Sequence, residues 1–431
     1  MEANDMRSDA LAPGQTVRVP RALLLAAFVD EEAAPSGEEP LVLGEGHPEL
    51  GYGEDARGPF AVYRLKQGEA LYSAVVVRFT GLLSADEVNQ TALKIARRSG
   101  IEDVTAIPVG FAVKIPLDLL LAEYLPEGHP RRAEYEEIQT SAARYRSRAV
   151  TENLEGVYVF LDAGHGGIDS GAAHHGVWES DYVYDIMCRV HRLLGETAKA
   201  TVIPVVRNRE RKYRPVDRER LSRSKATEVL TTPPFRYTSR SERSMFVNLR
   251  WYVANDHARA LRKRGVSEDR LVFLSLHADA LHTAVRGAMV YIPGARYVSS
   301  TISKRGRPYS KYREVRSHPY VRVNHKDKVK SQGYSNGFAQ TLVRELRRRK
   351  LRVHPHNPVR DAIVRTRGRP WVPAVLRNNT VPTKILLETV NLANRKDAEL
   401  MRKPSFREAM AEAIVEALRA HYAGGRGKRA A

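Results

Sequence analysis

The hydrophobic pattern of the chain changes character near residue 157. From there on, short apolar runs alternate with stretches of helical period. Val157–Asp162 (VYVFLD), Leu271–Leu276 (LVFLSL), Ala288–Ile292 and Ile385–Glu388 are nearly continuous apolar runs, the pattern of strands buried on both faces. Val202–Val206 is a shorter run of the same kind. Between them, Val183, Ile186, Met187, Val190, Leu193 and Leu194 fall on one stripe of a helix over Asp181–Leu194, with Ser180 as its expected N-cap. Phe246, Leu249, Val253 and Leu261 mark a second helix over Phe246–Leu261, and Gln332–Arg349 and Ser405–Tyr422 read as two more. This alternation predicts an α/β domain over residues 154–423, with a mostly parallel sheet flanked by helices.

The beginning of the chain reads differently. Residues 12–28 (APGQTVRVPRALLLAAF) and 108–124 (PVGFAVKIPLDLLLAEY) repeat at a constant offset of 96, pairing Gly14 with Gly110, Val17 with Val113 and Pro20 with Pro116. The second copy is preceded by residues 62–79, which read as a strand, a turn at Gln67-Gly68-Glu69 and a helical start; the first copy lacks that half. The opening Tyr63-Arg64-Leu65-Lys66-Gln67-Gly68-Glu69-Ala70-Leu71 and the close Gly110–Pro116 resemble LysM modules. Those are small βααβ units that bind N-acetylglucosamine-containing glycans. The resemblance implies a module over 61–126, preceded by a partial repeat and linker over 1–60; a βααβ packing domain without a ligand is the alternative. Charged, irregular residues 127–153 predict a linker with a helical middle, and 424–431 a disordered tail.

Composition bounds the function classes. A chain of 431 residues exceeds what one hydrophobic core usually absorbs, so two or more domains are expected. With 42% hydrophobic and 28% charged residues it has globular chemistry. No apolar run is long enough to cross a bilayer, which argues against an integral membrane protein. One cysteine, Cys188, excludes an internal disulfide and a cysteine metal cluster, and its place on the apolar side of a helix marks it as a small core residue. The 70 Lys+Arg against 50 Asp+Glu leave a net charge of +20, which implies an anionic partner: nucleic acid, a membrane surface or an acidic envelope polymer. The N-terminus lacks the charged-then-apolar layout of a secretory signal, so either the protein stays inside the cell or Met1 is not the true start.

Three of the apolar strands end on residues that bind metals or move protons. Val157–Asp162 runs into Gly164-His165-Gly166-Gly167, Leu271–Leu276 into His277-Ala278-Asp279, and Ile385–Leu387 into Glu388. Beyond the carboxyl ends of parallel strands lies the crevice where α/β sheets bind ligands, so His165, His277 and Glu388 are expected at one edge. Glu179 opens the helix after the first histidine loop. Each has a bland reading: a hydrogen-bonded structural histidine, a glycine-rich connection, a solvated carboxylate at a helix start. Glu388 is less bland, because a carboxylate ending a buried strand must be paired or functional.

The ordered segments LDAGHGGIDSGA, ESDYVYDIMCRVHRLL, LSLHADA and ILLETVNLANRKDAELM resemble the zinc-dependent N-acetylmuramoyl-L-alanine amidases of bacterial cell-wall turnover. The residues that match are Asp162, Gly164, His165, Gly166, Gly167, Asp169, Gly171 and Ala172, then Glu179, then Ser275–Ala280, then Leu387-Glu388 and Asn394, with Arg250, Ala254 and Asn255 matching a helix of the family. The resemblance implies the zinc amidase (phosphorylase-like) α/β fold. It also implies zinc held by His165, Glu179 and His277, with Glu388 as the catalytic glutamate. Two imidazoles and a carboxylate are an N/O set suited to Zn²⁺, leaving a fourth position for water. Asp162 and Asp169 are expected to orient a histidine or fix the loop. The implied substrate is peptidoglycan, cut at the amide between N-acetylmuramic acid and L-alanine in the periplasm or cell envelope.

His174, His175, His282, His354 and His356 read as polar loop residues, since three ligands already complete a catalytic site. Two basic inserts, 208–245 and 294–331, exceed the family's spacing. They are either solvated excursions or loops that rim the site and engage anionic peptidoglycan or teichoic-like polymers. A non-catalytic peptidoglycan-binding protein with an inactive amidase fold is the alternative function. No nucleic-acid partner is expected, because no recognised motif accompanies the charge. Any activating protein is left open.

Overall fold

The computed structural model describes residues 46–147, 151, 153–304, 306–367 and 369–423. The first repeat copy and the tail 424–431 lie outside them. The described residues form two units: those up to Leu82 with Asp86–Tyr135, and Leu83–Ala85 with those from Glu136 onward.

In the first unit, β1 (Gly51–Asp55), β2 (Gly58–Arg64) and β3 (Ala112–Pro116) form an antiparallel sheet in the order β1-β2-β3. A π-type helix (Leu71–Thr80) and α1 (Ala85–Ser99) connect β2 to β3. Val88, Ala92, Ile95 and Ala96 form the buried stripe of α1. The turn after β2 is closed by Glu69, whose carboxylate accepts the Tyr63 hydroxyl at 2.7 Å and the Lys66 amide at 3.0 Å. β2, the two helices and β3 thus follow one another in strand–helix–helix–strand order. Gly51–Asp55, read from sequence as part of a linker, is an edge strand instead. GYGED has no apolar alternation to announce it; pairing with β2 and burial of Tyr52 hold it in place. Residues 127–153 contain the expected helix, α2 (Pro130–Ala143).

The second unit runs β4 (Tyr158–Ala163), α3 (Glu179–Thr197), β5 (Thr201–Pro204), α4 (Arg243–Lys263), β6 (Leu271–Asp279), β7 (Met289–Tyr291), α5 (His325–Arg348), β8 (Val359–Arg360), β9 (Thr383–Asn391), α6 (Arg395–Arg402) and α7 (Pro404–Tyr422). The strands form one sheet in the order β8-β7-β9-β6-β4-β5. β9, β6, β4 and β5 are mutually parallel, whereas β7 is antiparallel to β9 and parallel to β8. The apolar run at Ala288–Ile292 gave no hint of that reversal, because hydrophobicity records burial and not direction. β9 is buried at every position, as its unbroken apolar run requires. α3 and α5 lie against the sheet and α7 packs across both.

One expected cap differs. α3 starts at Glu179 with Trp178 at the N-cap, not Ser180. The Glu179 and Ser180 amides donate to the carbonyls of Ala172 and Ser170, so the preceding loop satisfies the first turn and no hydroxyl cap is needed.

The helical layer is tied by a buried ion cluster. Arg407 on α7 is 0% exposed; its Nε donates to Asp185 Oδ2 on α3 at 2.7 Å, and its Nη2 to the carbonyls of Arg218 and Val216 at 2.8 and 3.0 Å. Arg189 shares the same Asp185 oxygen at 2.9 Å. Removing one member leaves buried charge uncompensated. Arg407→Leu is expected to lower stability by about 3–5 kcal/mol, read from the midpoint of chemical denaturation.

Candidate metal centre

β4 delivers the chain into a tight loop. His165, Gly166 and Gly167 all have positive φ (58°, 116° and 59°), which turns the backbone back so that Gly166 and Asp169 exchange hydrogen bonds at 2.8 and 3.1 Å. Two neighbouring glycines are needed for space. A Cβ on Gly164 would lie 2.3 Å from the His277 ring, and one on Gly171 (φ +66°) would lie 2.4 Å from Glu179 Oε2. Arg250 on α4 clamps the loop, donating to Asp162 Oδ1 at 2.8 Å and to the carbonyls of Ala163 and His165 at 2.5 Å each. Ser275 Oγ on β6 donates to the other Asp162 oxygen at 2.7 Å.

Within this frame three side chains converge. His165 Nδ1 is 2.9 Å from Asp169 Oδ2, which directs Nε2 toward Glu179 Oε2 at 3.2 Å. His277 Nδ1 is 2.9 Å from Glu179 Oε1. One donor atom from each of His165, Glu179 and His277 lies within 4.8 Å of the others. Glu179 is only 3% exposed, and the amides of Ala172 and Ala278 each donate to its oxygens at 3.0 Å. Burial favours its neutral form, but His165 and His277 outweigh that and hold the carboxyl below its usual range. Burial likewise works against a charged His165, and Glu179 and Asp169 more than offset it, raising the imidazole's proton affinity.

Glu388 stands beside them. It is the register partner of His277 on the adjacent parallel strand, so both side chains leave the sheet on the same face. It is 8% exposed and its Oε2 has no hydrogen-bond partner among the described residues. Burial, then Asp279 and Glu179, push its carboxyl well above the normal range. Asp279 is half-buried, and its carboxyl is pushed up to about 8 by desolvation and by Glu179; its enclosed Oδ2 also lacks a partner among the described residues. Packing three carboxylates into one buried corner raises the proton affinity of two of them, the electrostatic mark of a place where a cation fits. The donor set, two imidazoles and a carboxylate, suits a divalent transition metal. A cavity of about 220 Å³ opens beside the histidines, walled by Phe246, Trp371 and Pro373 and also lined by Arg243.

Residues 235–420 match the family described as N-acetylmuramoyl-L-alanine amidase. The matched amidase segment takes in His277 and Glu388 and begins after His165 and Glu179. Among solved structures the chain is similar to the amidase Ami1 of Mycobacterium smegmatis (18% identity, 63% of this chain and 98% of that one, TM-score 0.38). It is also similar to AmiC2 of Nostoc punctiforme (18%, 61% and 95%, TM-score 0.34) and to the CwlD amidase of Clostridioides difficile solved with the GerS lipoprotein (18%, 62% and 98%, TM-score 0.34). No curated protein matches.

The remaining motif residues fix the backbone around the cluster. Asp162 holds Arg250 and Ser275 and does not touch a histidine ring, whereas Asp169 does. Asn255 accepts from the Thr380 amide at 2.7 Å and donates to the Asn378 carbonyl at 3.0 Å, setting the entry into β9. Asn394 caps α6. Among the described residues the five other loop histidines stay out of the cluster, but His354 is buried rather than a polar surface residue, its ring held neutral by burial and Arg360. Cys188 is buried as expected, and burial pushes its thiol pKa up. The first basic insert packs on the histidine loop: Arg223 Nη2 donates to the Gly167 carbonyl at 3.1 Å, and the Tyr237 carbonyl accepts from Ile168 at 3.3 Å. The sequence reading left Asp279 unweighted although it lies two residues beyond His277, and a register shift there against β9 could not be read from the pattern.

Asp169 orients His165 without offering itself to the cluster. Asp169→Asn is expected to weaken divalent-metal affinity about 10- to 100-fold, measured by competition with a chromophoric chelator.

Proposed function

We propose that this chain is a zinc-dependent amidase that hydrolyses the bond between N-acetylmuramic acid and L-alanine in peptidoglycan. His165, Glu179 and His277 are assigned as the zinc ligands and Glu388 as the catalytic acid–base. The convergence of the three ligand atoms beside a buried, in-register carboxylate carries this reading. Bound zinc would supply Lewis acidity, polarising an amide carbonyl and making water nucleophilic near neutral pH.

The chain's own residues supply the rest. Asp169 and the Ala278 and Ala172 amides fix the ligands in place before substrate arrives. Phe246 and Trp371 wall the cavity and exclude water from the scissile amide. Glu388 accepts a proton from the attacking water and returns it to the departing L-alanine nitrogen. Burial and neighbouring carboxylates raise its proton affinity, and a dication held by His165, Glu179 and His277 would lower it toward the working pH, which suits both steps. The substrate places this work in the cell envelope. None of the described helices is long and apolar enough to cross a membrane. We assign the strand–helix–helix–strand unit before the catalytic domain a glycan-holding role, on its likeness to LysM modules. A non-catalytic peptidoglycan binder would not require His165, Glu179, His277 and Glu388 together, which favours the enzymatic reading.

Digestion of purified sacculi tests the reading, with released stem peptides identified by mass spectrometry. Release is expected from the wild type, lost on adding chelator and restored by zinc. Glu388→Gln is expected to keep the metal and slow release by about 10²- to 10⁴-fold, whereas His277→Ala loses the metal itself. Wild-type release that ignores chelator would overturn the mechanism.

A further inference from the structure

The second basic insert does not line the metal cavity. Tyr320–Val323 from this insert, the C-terminal half of α4, the start of α5 and the segment entering β9 enclose a separate cleft of about 360 Å³. Lys384 and Glu388 are four residues apart on β9, so this cleft sits roughly 13 Å along the strand from the catalytic carboxylate. Five cations line it (Arg259, Arg262, Arg322, Lys330 and Lys384), against the carboxylates of Glu268 and Asp327. Glu268 is already engaged by Arg262 at 3.2 Å and by Lys330. Asp327 lies in the first turn of α5, where the helix dipole offsets its charge.

What distinguishes the cleft from a solvated basic face is its store of buried donors. Asn379 is 1% exposed; its Oδ1 accepts from the Val381 amide at 2.8 Å while its Nδ2 has no partner among the described residues. Arg259 Nη1 is buried with no partner among the described residues, and its nearest acid, Asp256, lies 3.7 Å from the other terminal nitrogen. Lys384 is buried, with Nζ donating to the carbonyls of Asn379 and Val381 at 2.8 and 3.0 Å. Burial, with Arg262 nearby, lowers its pKa to about 7 despite Asp327, so a further negative charge in the cleft would favour its protonated form. Buried donors left unsatisfied are costly, and donors that converge from several elements call for a ligand with several acceptor oxygens.

We propose that this cleft is a second ligand site that binds a phosphate group, carried on a phosphodiester polymer or on a small phosphorylated compound. A lone carboxylate would leave donors unused. A phosphate offers oxygens in several directions and up to two negative charges, matching arginine and lysine together. The inference does not depend on the amidase reading.

Calorimetric titration of the full-length protein with pyrophosphate, and separately with a glycerol-phosphate oligomer, tests it. At least one probe is expected to bind, and Arg259→Gln and Arg322→Gln are each expected to weaken that binding about tenfold with the melting temperature retained. Both side chains are partly exposed or exposed, so these variants avoid the folding risk of replacing buried Lys384. His277→Ala should leave binding unchanged, which separates this cleft from anion capture at the metal centre. Preference for the oligomer assigns the source to a phosphodiester polymer, and preference for pyrophosphate to a free phosphate compound; either upholds the site. No binding of either probe at millimolar concentration, binding that survives both arginine substitutions, or binding lost with His277 would overturn it.

Discussion

Glu179 is a carboxylate buried between two imidazoles, and much of the second unit can be understood as the means of keeping it there. A buried charge without partners costs several kcal/mol, so the site must surround it with donors. The loop after β4 contributes His165 and the Ala172 amide, while β6 contributes His277 and the Ala278 amide. Glu179 is also the first residue of α3, so its position is set by the helix as a whole. The loop after β4, the helix start that follows it and a strand 98 residues further on thus meet at one carboxylate. A shift in any of them would strand charge in the interior.

Holding the loop is a separate task, performed by a second buried ion pair. Arg250 and Asp162 are both fully enclosed, and the guanidinium also takes the carbonyls on either side of Gly164. These are strong, directional hydrogen bonds in a low-dielectric setting. They allow a backbone with three consecutive positive φ angles to persist, and glycine at 164 and 171 leaves room for the imidazole rings and the Glu179 carboxylate. The motif glycines and Arg250 therefore hold the loop that carries His165.

This division explains what could be read from the chain and what could not. Continuous apolar runs ending in histidine or glutamate located β4, β6 and β9, and parallel topology then brought His165, His277 and Glu388 to one edge. Such patterns are local and survive translation into one dimension. The start of α3 was misplaced because loop carbonyls cap it, a contact with no side-chain signature. β1 was missed because an edge strand held by backbone pairing needs little hydrophobicity, and the reversal of β7 because direction leaves no trace in composition. Asp279 gains its significance only through the proximity of Glu179 and Glu388. The second cleft was least legible of all, since its walls come from four segments spread between residues 252 and 384.

The charge of the chain illustrates the same limit. A net +20 reads as a basic surface seeking an anion. Many of the arginines, however, are spent internally. Arg407 binds the carbonyls of Val216 and Arg218, Arg262 that of Thr380 at 2.7 Å, and Arg132 that of Leu125 at 2.8 Å. A guanidinium presents five donors on a plane and is weakly hydrated, so it can enter the interior and tie loops that have no secondary structure of their own. Such residues add to the formal charge while contributing little free positive surface. This weakens any argument from net charge to nucleic acid or membrane binding. It gives more weight to the places where cations gather with their donors unspent, because there the charge is not already serving the fold.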